Sequence, residues 1–409
     1  MIQPEPAPDA LPYPFGKPHL LELDPRYAVL RDDKGLCPVE LRDLGRAWLC
    51  SRYADVRGVL TDGRFALTPV APQPGASRAR GAGAAATLTS DQITTVAKAG
   101  LKPRQIERLR PATETIADEL LDRLGGAGGP CGQTSPADLM AGFVKPLAAG
   151  TMCALLDVPP GNRTTLRALL LGAATTATPP SDAEKQDRRE LARYLGSLVA
   201  TRARSDADDL LSGMIRARGE GDDRLTDRQL VAATLRLLLP GLQNMVLTSA
   251  NFVCALTHHP ADLERLRRRQ DLVPSAVEEL MRFTPFHSTS TFPRYATRDT
   301  EIGGTLIRRG EVVVGALCAA NRDERAFPLA DVFDIQRAEN AHLGFGMGRH
   351  HCPGAALARM QLQVAIGALA RRIDDLRLAR PGTGPEPGRS ASTVGWFDTL
   401  PVTWSSIRT

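Results

Sequence analysis

Phe345-Gly-Met-Gly-Arg-His-His-Cys352-Pro-Gly354 is the stretch on which the reading of this chain turns. Gly346 and Gly348 allow the backbone a tight turn and a close approach to a flat ligand. Pro353 suits the first turn of a helix, and apolar residues at helical spacing carry that helix from Ala355 to Arg372. Cys352 is therefore expected at a helix N-terminus. Free N–H groups and the helix dipole there favour a thiolate, lowering the thiol pKa from about 8.5 to roughly 3.5–7.5.

A thiolate so placed is a nucleophile or a metal ligand. The seven cysteines, Cys37, Cys50, Cys131, Cys153, Cys254, Cys318 and Cys352, form no CxxC pair. Neither a zinc cluster nor a disulfide framework is indicated. The single-thiolate alternative is axial ligation of haem iron, where sulfur pushes electron density that favours O–O cleavage. An inert cysteine on a glycine-rich turn is the plainer reading of a lone Cys. The spacing of Phe345, two glycines, His350 and Gly354 around the sulfur argues against it.

The 409 residues suffice for a large core. Hydrophobic residues make up 43% and charged residues 24%, as in an ordinary globular protein. Aromatics at 5% leave little for stacking single-stranded nucleic acid. The 51 basic and 46 acidic residues leave a net charge of +5 with no basic block, so no nucleic-acid partner is expected. The Pro-rich opening, MIQPEPAPDALPYPFGKP, lacks the apolar core of a signal peptide. No uninterrupted run of 18 apolar residues is present, so no membrane span is expected and a cytoplasmic location is.

Helical periodicity predicts helices at Tyr53 to Leu60, Gln105 to Leu124, Pro136 to Leu156, Asp182 to Thr201, Asp208 to Arg218, Thr226 to Leu256 and Pro274 to Arg282. Pro240-Gly241 should kink or open the long sixth one. Strands are expected at Arg46 to Cys50, between Tyr295 and Val314, and in a final hairpin around TVGWFDTLPVTW. Residues 1–18 read as an irregular lead-in. Residues 66–90 read as a mobile loop of the kind that covers a site. The fold class is mainly α with small β-sheets.

FGMGRHHCPG resembles the haem-binding signature of the cytochrome P450 family at every defining position, and Glu279-Leu-Met-Arg282 is similar to that family's ExxR helix. AVEELMRFTP, PRYATRDTEIGG, AANRDERAF and ALARMQLQVAIGALARR agree, and the resemblance runs from about Tyr13 to Trp404. It implies a single domain over 1–409, a triangular prism with a long kinked central helix over one haem b per chain. Cys352 would ligate the iron, and Arg294 and His342 would meet haem propionates. Phe345, Gly346, His350 and Gly354 would shape the loop. Glu279 and Arg282 would form a buried structural pair, completed by either Arg337 or His342.

Two departures qualify the resemblance. The family's oxygen-activating helix usually carries an acid and a threonine; here the aligned run is Pro240-Gly-Leu-Gln243-Asn244-Met245. An amide cannot relay protons as a carboxylate does, although Thr248, one turn on, offers a replacement alcohol. The catalytic candidates are thus Gln243, Asn244 and Thr248. The stretch TLTSDQITTVAKAG also lacks the His and Arg expected for the propionates; Lys98 is its one basic residue, and Arg78 and Arg80 are candidates to reach in.

The resemblance implies an enzyme oxidising a small organic molecule in secondary-metabolite biosynthesis, with dioxygen and electrons from a ferredoxin docked on Arg104, Arg108, Arg110 and Arg349. The altered helix favours oxidative C–C or C–O coupling of aromatic substrates. Candidate substrate contacts are Asn244, Met245, His287, Ser290, Phe292, Trp396 and Phe397. The alternative is an impaired relative that serves as scaffold or activator for a biosynthetic partner.

Overall fold

The computed structural model describes residues 10–15, 21–33, 35–42, 44–69, 88–126, 136–174, 179–205, 207–221, 224–285, 293–379, 386–387 and 397–408. The chain divides into two compact units, each built from separate stretches: 1–82 with 278–352, and 83–277 with 353–409.

The first unit is organised on a six-stranded sheet. Leu36–Leu41 and Gly45–Cys50 form its antiparallel hairpin, with Leu11–Tyr13 parallel on one side and Val312–Gly315 parallel on the other. Arg294–Ala296 and Phe65–Ala66 complete it. Side chains alternate between faces, as the period of two requires. Cys37, Val39, Leu41, Leu49, Val312 and Val314 enter one core with Tyr13, Phe15 and Tyr27. Leu36, Cys50 and Val313 enter the other, against Val56, Val59 and Leu60 of the Tyr53–Thr61 helix. Leu11–Tyr13 is thus an ordered strand inside the stretch expected to be irregular.

The second unit is mainly helical, around the Asp227–His258 helix. Thr226 and Gln229 close a capping box at its start, each satisfying the other's backbone N–H. Ser181 and Glu184 do the same for the Asp182–Arg202 helix. The long helix is continuous through Pro240, so the expected local opening does not occur. The proline removes one backbone donor, but Leu238 and Leu242 on either side stay buried and hold the helix together. By length and an 18-residue mean hydropathy of 1.5, this helix passes the test for a membrane span. The absence of an uninterrupted apolar run had hidden that. The helix buries Leu230, Ala233, Leu242, Val246, Ala250 and Phe252, which is how a core helix passes the same test.

Helix positions follow the periodicity, with exceptions. Ser90–Gly100, Pro160–Ala173 and Pro260–Arg268 are additional helices. The segment expected as one helix from Pro136 begins with a two-residue strand and a π-helical turn, Met140–Val144, before Lys145–Leu155. Residues 70–87 of the expected covering loop lie outside the described residues.

Candidate functional site

The cysteine loop closes on itself: the Cys352 N–H donates to the Phe345 carbonyl at 2.9 Å, and the Gly346 N–H to the Leu343 carbonyl at 2.8 Å. Gly346 and Gly348 take φ of +67° and +75°, a conformation that costs an L side chain free energy. At Gly348 space is also short: a Cβ would lie 2.8 Å from the Leu60 carbonyl oxygen. Gly348–His350 forms a short 3-10 turn. The helix that follows runs Ala355–Arg372 with Gly354 as its N-cap residue, so Pro353 precedes the helix instead of opening it, and Cys352 lies two residues before the cap. Cys352 is half-buried, unlike the buried Cys37, Cys50, Cys153, Cys254 and Cys318. Burial pushes the thiols of Cys37 and Cys318 up to about 11 and that of Cys254 to about 12, which keeps those three protonated and inert.

The ExxR pair is fully buried. Arg282 donates from Nη2 to Glu279 Oε1 at 2.7 Å and from Nε to Oε2 at 2.8 Å. Its Nη1 donates to the carbonyls of Asn321 and Ala330, at 2.9 and 2.7 Å. Of the two candidates for the third partner, the structure selects Arg337, whose Nε donates to Glu279 Oε2 at 3.1 Å. The Asp334 N–H and Asn340 Nδ2 add two more donors to the same carboxylate. This is a charge held by a saturated set of hydrogen bonds, the condition under which a buried ion pair is tolerated.

His342 is occupied otherwise than expected. Its Nδ1 accepts from the Gly344 N–H at 3.0 Å, which leaves the proton on Nε2, and Nε2 meets Glu278 at 3.0 Å. Both ring nitrogens have partners within the protein. Arg294 is different. It is buried, burial holds its pKa below the usual arginine value, and among the described residues it donates to the Pro293 carbonyl at 3.2 Å. A buried guanidinium without a carboxylate among the described residues calls for an anion. Phe345 is half-buried, 5.8 Å from the His342 ring and 6.3 Å from that of His351.

In the second unit, the Gln243 amide donates to the Ala174 carbonyl. That donor is engaged within the protein. Asn244 is exposed and its side chain makes no hydrogen bond among the described residues; Met245 is buried. The buried threonines Thr113, Thr151 and Thr234 each donate to the carbonyl four residues back. Thr248 is also buried, yet its hydroxyl makes no hydrogen bond among the described residues. His287, Ser290, Phe292 and Trp396 lie outside the described residues, as do Arg78 and Arg80; Phe397 begins a strand, Phe397–Thr399. Lys98 is exposed. Of the proposed basic docking residues, Arg108 pairs with Asp208 at 3.1 Å and Arg110 with Glu107, while Arg104 and Arg349 are exposed.

Among the described residues no group of three or more His, Cys, Asp or Glu could hold a metal ion. A half-exposed sulfur on a loop that only glycine can build, with a buried cation in the same unit lacking its anion, fits a cofactor bringing its own metal, its own flat surface and its own carboxylates. Haem meets all three conditions.

The protein-family model "Cytochrome P450" matches residues 183–374. The nocardicin C N-oxygenase of Nocardia uniformis subsp. tsuyamanensis is 38% identical over 408 residues, spanning 97% of this chain and 99% of its own. The mycinamicin IV hydroxylase/epoxidase of Micromonospora griseorubida is 35% identical over 397 residues, with 96% and 98% covered. The solved structure of the mixed-function P450 MycG matches with a TM-score of 0.85 at 34% identity, covering 97% of this chain and all of that one. Full-length likeness at this level, together with the built cysteine loop, places the chain in the cytochrome P450 family as a haem-dependent enzyme of the monooxygenase type.

Proposed function

We propose that this chain is a haem-thiolate monooxygenase of secondary-metabolite biosynthesis, acting on a small organic substrate with dioxygen and electrons from a ferredoxin, with one haem b per chain and a cytoplasmic location. The observation that carries the reading is the Cys352 loop, whose two left-handed glycines and half-exposed sulfur have no purpose in a cysteine that merely packs. The relatives support the metabolic setting: one is an N-oxygenase of nocardicin C, another a hydroxylase and epoxidase of mycinamicin IV.

Bound haem supplies dioxygen activation. The chain's own residues do the rest. Cys352 holds the iron as a thiolate, and Arg294 neutralises a propionate. Glu279, Arg282 and Arg337 fix the segment preceding the loop, so that the sulfur is held in place before any ligand arrives. Asn244 and Thr248, one helical turn apart and without a side-chain hydrogen bond among the described residues, receive a polar group of the substrate. With Gln243 committed elsewhere and no acid beside it, the proton needed for turnover comes through Thr248 or from a substrate hydroxyl or N–H. That requirement favours substrates carrying such a group, including phenols open to oxidative coupling. Arg104 and Arg349 contribute to the ferredoxin surface.

The test is the absorption of the reduced protein under carbon monoxide. A Soret band at the thiolate–CO position, lost in Cys352→Ser, is the result expected. Protein that purifies without haem and takes none up on reconstitution defeats the proposal in favour of a scaffold.

A further inference from the structure

We propose that Gln243 is a positioning residue: its side-chain amide latches the C-terminal end of the Pro160–Ala173 helix onto the Asp227–His258 helix, beside Asn244.

The last carbonyls of a helix have no partner within it. At this end two of them are capped by side chains from two different helices. The Ala173 carbonyl accepts from Arg188 Nε of the Asp182–Arg202 helix at 3.0 Å. The Ala174 carbonyl accepts from Gln243 Nε2 of the Asp227–His258 helix. Ala173 and Ala174 are both 0% exposed, so water cannot replace either bond. A backbone carbonyl only accepts, which dictates both the orientation of the Gln243 amide and the residue type. A glutamate here would set a second acceptor against the first. The amide is thus what this geometry demands, and the loss of an acid at this position follows from the latch.

The helical hairpin so held packs closely. A Cβ on Gly172 would lie 3.5 Å from Asp187 Cβ, ordinary van der Waals contact, and would displace the Asp187 carboxylate. With Arg188 holding one carbonyl and Gln243 the next, the end of the hairpin cannot move away from the long helix without breaking the amide–carbonyl bond. The next residue along that helix is Asn244, whose amide is exposed. The latch therefore sets the position of the hairpin end relative to the segment of the helix that carries Asn244. The inference is independent of haem and is tested without it.

Hydrogen–deuterium exchange on the full chain compares wild type with Gln243→Met, which matches the length but has no donor, and Gln243→Lys, which keeps one. A single net hydrogen bond predicts roughly 2- to 10-fold faster exchange of the Gly172, Ala173 and Ala174 amides in Gln243→Met. Gln243→Lys should stay near wild type, and amides between Met245 and Leu256 should be unchanged in both. The latch is refuted by unaltered exchange at 172–174 in Gln243→Met, or by equal acceleration in Gln243→Lys. Loosening that spreads along Met245 to Leu256 refutes it too, since that is the mark of a packing fault.

Discussion

Arg337 Nε lies 3.1 Å from the same carboxylate oxygen of Glu279, Oε2, that Arg282 Nε holds at 2.8 Å. The three side chains differ in what their loss leaves behind. Glu279→Ala strands the fully buried Arg282 guanidinium with only carbonyls for company, which for a broken buried pair costs about 3–5 kcal/mol. Arg337→Ala leaves Glu279 still held by Arg282, Asn340 and the Asp334 N–H, so its cost should be about 1–3 kcal/mol. Urea denaturation of both variants checks the ranking; equal midpoints would show that Arg337 is no lesser partner.

The two glycines of the cysteine loop should respond unequally to the same change. Gly346→Ala meets only the conformational cost of a left-handed residue, about 1–2 kcal/mol, because a Cβ there finds its nearest neighbour at 3.9 Å. Gly348→Ala adds a 2.8 Å approach to the Leu60 carbonyl oxygen, a backbone atom that cannot step aside, and overpacking of that kind adds about 1–3 kcal/mol. Gly348→Ala should therefore melt lower and take up haem less completely than Gly346→Ala. The reverse order in a thermal melt contradicts the geometry.

These contrasts also show what could be read without coordinates. The loop around Cys352, the ExxR helix and the Ala355–Arg372 helix were legible because local sequence specifies them: glycines at fixed offsets, a three-residue spacing, a 3.6-residue period. The identity of the third residue at Glu279 was not legible. Arg337 lies 58 residues on, and only the folded meander between Asn321 and Asn340 decides whether it or His342 arrives. The partners of the His342 ring, Glu278 and the Gly344 N–H, were not legible either, since tertiary placement brings them together. The Pro160–Ala173 helix was not among those expected, although Pro159-Pro160 marks its start. Gln243 looked like a failed acid until Ala174, 69 residues away, supplied its purpose.

Asp55 offers a pH test in the first unit. Burial raises its carboxyl pKa above the usual 3.8, Arg52 opposes the shift and Asp323 adds to it. Its Oδ2 is buried without a hydrogen-bond partner among the described residues. A carboxyl whose folded pKa exceeds its unfolded one binds the proton more tightly in the native state, so stability falls as pH rises through the interval between the two values. Asp55→Asn removes that titration. The variant should gain stability relative to wild type at pH 7 and lose the advantage below about pH 4, where wild-type Asp55 is protonated in both states. Chemical denaturation at the two pH values reads this directly; a gain that persists at low pH would assign the effect to packing.

Thr248 separates chemistry from stability because its hydroxyl makes no hydrogen bond among the described residues. Thr234→Val removes a hydrogen bond to the Leu230 carbonyl at 2.7 Å and should cost about 1 kcal/mol. Thr248→Val removes no such bond, so its thermal midpoint should match wild type. If the hydroxyl conveys the proton, turnover of the holoenzyme falls by about 10²-fold or more, the usual contribution of a positioned proton donor. Substrates carrying their own hydroxyl or N–H next to the reacting atom should be spared, since they bring the proton with them. The decisive measurement is the ratio of product formed to dioxygen consumed by Thr248→Val with both kinds of substrate. A uniform loss across them would place Thr248 in substrate binding and leave proton delivery to another residue.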